Sequence, residues 1–316
     1  MTRTTPAPAP TPAPAPTPAP APTPVPAPAP VPAATAARRP TPTPETGGRS
    51  GLLAELIEAA HRQTGARRAE VPLAEIERRA AQAPAVRDFG AALRAPGLGV
   101  IAELKPRSPL KGPLTDDYQP ADLARAYAAG GACALSVLAH TEGFGGRPED
   151  LATVREAVGL PVMRKDFIVD EYQIAEGRAF GADAVLLVVA ALTEERLAQL
   201  YTYATGLGLH VLVEVHSEAQ AHTALALGAV NIGVNHRDLR DFRMDLGLTG
   251  RLRPQVPADR VLIAESGVRG PADARRLRAD GADAVLVGET LMRAPDPAAL
   301  VAQLKNAEHT TEETPS

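Results

Sequence analysis

Of the 33 basic side chains in this sequence 29 are arginine and four are lysine, and two of those lysines, Lys105 and Lys165, close short apolar runs. An ammonium differs from a guanidinium in that burial or a neighbouring charge can lower its pKa until it exchanges protons. Lys105 and Lys165 therefore read as proton-transfer groups or as anion ligands. Other polar residues end apolar runs in the same way. VIAELKPRSPLKG leads to Glu103 and Lys105, PVMRKDF to Lys165, VLVEVH to Glu214 and IGVNHRD to Asn235 and Arg237. LIAESGV leads to Glu265, Ser266 and Gly267, and VLVGET to Gly288 and Glu289. Burying an isolated charge costs several kcal/mol even after relaxation, so each of these groups needs a partner or a ligand. For any one of them a structural ion pair is an equal alternative; the set together points to acid–base chemistry beside an anion. Ser266-Gly267 and Gly288-Glu289 can offer backbone N–H groups to that anion.

The elements that carry these residues alternate. Eight apolar runs occur near 100–102, 133–138, 162–163, 184–189, 211–215, 231–234, 261–264 and 284–287. Amphipathic stretches of helical length lie between them, at 120–129, 149–158, 171–180, 194–205, 219–227 and 272–280. Short strands that are apolar on both faces and separated by helices demand parallel pairing with crossovers. The phrases AAGGACALSVL, AFGADAVLLV, ALGAVNIGV and ADGADAVLV each end a helix at Gly and enter a strand. They recur at about the length of two βα units, and Gly suits the left-handed helix terminus. The expected fold is α/β, a single (β/α)8 TIM barrel over residues 51–305, whose strands present their C-terminal ends as the reacting face and whose last two loops hold phosphate. GLLAELIEAAHRQ and the stretch 73–81 add N-terminal helices, followed by a loop through Pro84 to Phe89 and Leu93.

Residues 1–50 hold 17 of the 32 prolines in an alternating Pro/Ala pattern, which predicts a disordered, polyproline-like arm with no core. It reads as a spacer or as a ligand for an unknown proline-binding partner, and residues 306–316 as a flexible tail. The net charge of −4, with both signs scattered, speaks against nucleic acid. The apolar runs are strand-length and bounded by polar residues, which speaks against a membrane span. The N-terminus lacks the apolar core of a secretory signal, and the single Cys133 fits a reducing compartment. A cytoplasmic monomer or weak oligomer is expected. Cys133 reads as packing. His140, His216 and His236 show no metal spacing, with Glu214-x-His216 taken to alternate sides of its strand.

The segments IAELKPRSPLKG, ALSVL, PVMRKDFIVDEYQI, VLVEVH, IGVNHRDL, AESGV and LVGETLMR resemble the indole-3-glycerol phosphate synthase family of tryptophan biosynthesis, in order, from about residue 52 to 305. The resemblance implies a carboxy-lyase that acts on a small phosphorylated substrate and uses no cofactor. That substrate is 1-(2-carboxyphenylamino)-1-deoxyribulose 5-phosphate, and the products are indole-3-glycerol phosphate, carbon dioxide and water. By motif, Lys165 is implied as the general acid at the substrate carbonyl and Glu214 as the carboxylate of the later proton transfers. Glu103 orients or shares that work, and Lys105 serves the phosphate or the dehydration step. Ser108, Asn235, Arg237 and Glu265 are implied substrate contacts; Ser266, Gly267, Gly288 and Glu289 form the phosphate end. Phe167 and Leu187 wall the aromatic ring, or are ordinary barrel packing.

Three positions depart from the family's frequent pattern. Leu110 replaces a serine in the Ser-Pro-Ser-Lys-Gly loop, His236 stands where Asn or Ser is frequent, and Glu289 stands where Ser is frequent. An acid at 289 implies that the phosphate is met there by backbone N–H alone. Two other readings are open to the residues: a phosphoribosylanthranilate isomerase, which would release no carbon dioxide and would need a cysteine where strand one has Glu103 and Lys105, and a non-catalytic barrel acting through its arm.

Overall fold

The computed structural model of the chain describes residues 51–109, 111–238 and 243–307. The expected arm, Leu110 and the expected tail from residue 308 on lie outside the described residues. The tail was expected from residue 306, yet Ala307 is buried and its carbonyl accepts from Arg275 Nε at 3.0 Å, so packing extends past that boundary.

Three helices come first: α1 (Gly51–Glu70), α2 (Leu73–Gln82) and the short α3 (Phe89–Leu93). The eight apolar runs then form eight strands, β1 (Gly99–Leu104), β2 (Ala134–Leu138), β3 (Val162–Lys165), β4 (Ala184–Val188), β5 (His210–Val215), β6 (Asn231–Asn235), β7 (Val261–Glu265) and β8 (Ala284–Val287). All pair in parallel, and β1 bonds to both β2 and β8, which closes the barrel. Between and after them run α4 (Pro120–Ala129), α5 (Asp150–Ala157), α6 (Glu171–Ala179), α7 (Glu194–Gly206), α8 (Glu218–Ala226), α9 (Leu248–Leu252), α10 (Pro271–Ala279), α11 (Glu289–Met292) and α12 (Pro297–Lys305). Among the described residues no helix is long and apolar enough to cross a membrane.

The strands are apolar on both faces because both are covered. Ile101, Met163, Leu186, Leu212, Ile263 and Leu286 fill the barrel interior. On the outside Val100, Leu135, Val137 and Val285 meet Leu151, Leu277 and Leu304, while Val185, Leu187 and Val213 meet Leu197 and Leu200. Helix α3 closes the N-terminal end: Asp88 caps it by accepting from Ala91 N at 2.8 Å, and Phe89 and Leu93 pack beside Ala134, Ala184 and Ala284.

The Gly-Ala-Asp-Ala-Val repeat has a specific task. Gly181 and Gly281 take φ of 86° and 92°, and a Cβ on either would collide with Arg155 or Arg253. Two residues on, Asp183 accepts from Val162 N at 2.9 Å and Asp283 from Leu262 N at 2.8 Å, each fixing the start of the preceding strand. Arg155 binds Asp183 at 2.6 Å, so this buried carboxylate is paired. Cys133 lies within packing as expected: its thiol donates to Val100 O at 3.3 Å, and burial pushes it up to about 11.

Candidate active site

At the C-terminal ends of the strands lies a cavity of about 570 Å³, and the site residues read from the sequence line it, Leu187 excepted. Strand periodicity explains both the convergence and the exception. Glu103, Glu214, Asn235 and Glu265 stand two residues beyond interior positions, or four, and so point inward. Leu187 is one residue out of phase and packs against the helices, where Leu197 and Leu200 lie. Leu186 and Val188 line the cavity from this strand instead. The run AVLLV is buried along its whole length, so nothing local marks its inner face; pairing of Val188 with Glu214 does.

Lys165 is the hub. Its Nζ donates to Glu214 Oε2 at 2.8 Å and lies 3.5 Å from Glu265 Oε2. Burial alone would push this ammonium down, the direction expected from the sequence. The attraction of Glu214, Glu265 and Glu103 outweighs burial, and Lys165 is held above the ordinary lysine range. It is therefore a charged ammonium rather than a neutral amine.

The two carboxylates beside it diverge. Burial raises both, but Lys165 and His216 beside it hold Glu214 well below the usual carboxylate range, and its Oε1 also accepts from Asn235 Nδ2 at 3.2 Å. Glu265, buried and repelled by Glu214, is pushed well above that range, and its Oε1 has no hydrogen-bond partner among the described residues. The same surroundings thus favour the ionised form of Glu214 and the protonated form of Glu265. Glycine makes the space: a Cβ on Gly233 would run into Glu265 Oε1, and one on Gly288 into Glu103 Oε1. Gly233→Ala is expected to leave the barrel folded but to push Glu265 off Lys165, lowering kcat on the order of 10- to 100-fold, since misplacements near 1 Å are that expensive. Steady-state turnover alongside a thermal melt checks it, and unchanged kcat would refute it.

Glu214 and His216 lie on the same face, contrary to the alternation expected; a spacing of two returns to the same side. His216 Nε2 comes within 3.2 Å of Glu214 Oε1. No group of three or more His, Cys, Asp or Glu side chains able to hold a metal occurs among the described residues.

The other end of the cavity carries Lys105, whose Nζ lies 3.3 Å from Glu103 Oε1 and 5.9 Å from the centre of the Phe144 ring. Ser266 and Gly267 have φ of 64° and 83°, and Ser266 is the one non-glycine with positive φ among the described residues. Such a conformation costs of order 1–3 kcal/mol and needs support. His236 supplies it. A carbonyl only accepts, so His236 Nδ1 donates to Ser266 O at 3.1 Å and Nε2 pairs with Thr249 Oγ1 at 2.8 Å. Burial pushes this imidazole down, which favours the neutral form, in which Nε2 accepts from the Thr249 hydroxyl.

The wall between these ends is apolar. His140, Phe144 and Phe167 cluster with ring centres 5.5 to 6.4 Å apart. Helix α1 adds Leu52, Leu53 and Leu56, and is anchored by Arg67 to Glu176 at 3.1 Å and Arg68 to Asp170 at 2.7 Å.

The family model for indole-3-glycerol phosphate synthase matches residues 53–304. Indole-3-glycerol phosphate synthase 2 of Streptomyces coelicolor is 62% identical over 248 residues, which is 78% of this chain and 96% of that protein. The chain belongs to the indole-3-glycerol phosphate synthase family. A second member, from Mycobacterium sp. (strain KMS), is 50% identical over 81% of this chain and 94% of its own length. Among solved structures, orotidine 5'-phosphate decarboxylase from Pyrococcus horikoshii OT3 matches at a TM-score of 0.51 and 13% identity, over 67% of this chain and all of that one, which speaks to the barrel fold alone.

Within the synthase family's pattern, the structure accounts for two of the three departures. His236 buttresses the turn at Ser266, and Glu289 pairs with Lys111 at 2.7 Å instead of standing apart from the loop after β1. Leu110 lies outside the described residues. Sequence reading missed Phe144, Leu186 and the leucines of α1 as cavity walls. Leu52, Leu53 and Leu56 carry a helical spacing that says buried, and only the placement of α1 over the barrel mouth says against what.

Proposed function

We propose that this chain is an indole-3-glycerol phosphate synthase that closes, decarboxylates and dehydrates 1-(2-carboxyphenylamino)-1-deoxyribulose 5-phosphate. One observation carries the assignment of roles: Lys165 Nζ stands between the carboxyls of Glu214 and Glu265, at 2.8 and 3.5 Å, in an apolar-walled barrel mouth. The aromatic ring would lie between Phe167, Phe144 and Leu186. As the ring carbon bearing the carboxylate bonds to the sugar carbonyl carbon, Lys165 gives its proton to the carbonyl oxygen, which becomes a hydroxyl. The carboxylate leaves as carbon dioxide, and its bonding electrons restore the ring. Water is then lost: the hydroxyl departs with a proton from an acid, Lys105 or a Lys165 that has regained its proton from solvent, and Glu214 takes the proton released as the indole double bond forms. Glu103 orients Lys105, while Ser108, Asn235, Arg237 and Glu265 contact the substrate. The phosphate lies against Ser266, Gly267, Gly288 and the backbone of Glu289, with Lys105 as its counter-charge. No step asks for a cofactor, and we assign the chain to the cytoplasm.

Fluorescence of the indole formed from the carboxyphenylamino sugar phosphate, with carbon dioxide released in equal amount, tests the assignment. Isomerisation without carbon dioxide would replace it. Deleting residues 1–48 is expected to leave kcat and KM within about twofold, because the match to the family begins at residue 53 and leaves them out. Loss of turnover on that deletion would favour a role for the arm.

A further inference from the structure

One ion pair in the cavity has no part in the proton transfers above. Lys111 Nζ donates to Glu289 Oε1 at 2.7 Å, across the phosphate end. Lys111 comes from the loop after β1, which folds into a two-residue antiparallel ribbon, Arg107–Ser108 with Gly112–Pro113. Glu289 follows Gly288 directly and also lies 3.5 Å from Arg293 Nε. Both side chains of the pair line the cavity and both are reachable, at 52% and 28% exposure. Burial pushes the Glu289 carboxyl up, but Lys111, Arg293 and Lys105 together hold it below the usual range, so it is ionised at neutral pH.

A carboxylate and a phosphate monoester make the same demand on an ammonium: anionic oxygens that accept its N–H bonds. Here the demand is already met. A phosphate entering this end meets the like charge of Glu289 and a lysine that Glu289 has neutralised. An exposed ion pair contributes little to stability, so stability gives the pair no evident purpose. Its position gives it one.

Resting on the reading of this end as the phosphate site, we propose that Glu289 stands in for the phosphate in the empty enzyme. Its carboxylate holds Lys111, and with it the ribbon after β1, until the substrate phosphate takes Lys111 over. Lys111 is thus a phosphate ligand recruited on binding, and Glu289 a built-in competitor that weakens affinity for phosphate monoesters.

Titration of inorganic phosphate into the full chain, followed by 31P NMR, tests this on the wild type, Glu289→Gln, Lys111→Met and the double variant, with melts to verify folding. Glu289→Gln is expected to bind phosphate roughly three- to tenfold more tightly, the size of one partly exposed charge interaction. Lys111→Met is expected to weaken binding in both backgrounds. Glu289→Asp, which keeps the charge, is expected to show no gain. Unchanged or weaker binding by Glu289→Gln, no effect of Lys111→Met in the Glu289→Gln background, or no saturable binding by any of the proteins would overturn the proposal. Turnover measured in parallel separates the two readings. Wild-type turnover without a gain in Glu289→Gln removes the competitor and leaves the synthase, whereas a gain in phosphate affinity without any turnover does the reverse.

Discussion

Lys165→Ala is expected to melt close to the wild-type temperature and to lose about 10²- to 10⁴-fold in kcat, the range attributed to a positioned general acid. Lys165 stands at the barrel mouth and keeps 16% of its side chain exposed, so its removal opens a space that water can fill. Glu214 and Glu265 lose the cation they share while Glu103 keeps Lys105, and the outcome follows from chemistry already visible in the site. Glu214, held low by Lys165, rises when that charge goes, and it takes a proton instead of forcing the barrel open. Lys165→Arg separates charge from proton donation: a guanidinium keeps the positive charge but does not give up a proton at neutral pH. Both variants are expected to be inactive and folded. Near-normal indole formation by either one, measured by fluorescence under saturating substrate, would remove Lys165 from the role of acid.

The largest effect on stability is expected next door. Arg164 faces away from the cavity and is 2% exposed. It donates to Asp166 Oδ2 at 2.8 Å, Glu176 Oε2 at 2.9 Å and Gln173 O at 2.8 Å. Arg164→Met leaves Asp166 and Glu176 buried with their main counter-charge gone, which costs roughly 3–5 kcal/mol. For a domain of this size that is a fall in Tm of roughly 6–20 °C. Adding Asp166→Asn removes one of the stranded charges and is expected to recover part of the fall. A fall of less than 2 °C for the single variant would show that the cluster is solvated in solution. The effect reaches the site by two routes: Glu176 also holds Arg67 of α1, and Asp166 accepts from His140 Nδ1 at 3.1 Å, whose ring packs edge-on against Phe167.

Much of this was legible in the sequence, because it depends on neighbours along the chain. A run such as VLVEV, apolar on both faces, has few homes other than a parallel strand under helices, and a glycine before each Ala-Asp-Ala-Val run marks the turn into it. The polar residues that end six of the eight strands could be named without knowing what they meet, since a charge beside such runs is unexpected on any other ground. Tertiary structure decided what depends on pairs distant in sequence. The inner face of β4, and so the choice of Leu186 over Leu187, came from the register that sets Val188 beside Glu214. The charge on Lys165 was set by Glu214, Glu265 and Glu103, which lie 49 or more residues away in other strands. Even the sign of that shift was open, because burial and three carboxylates act in opposite directions and only distances settle which prevails. Lys111 and Glu289, 178 residues apart, meet because the barrel closes β1 against β8.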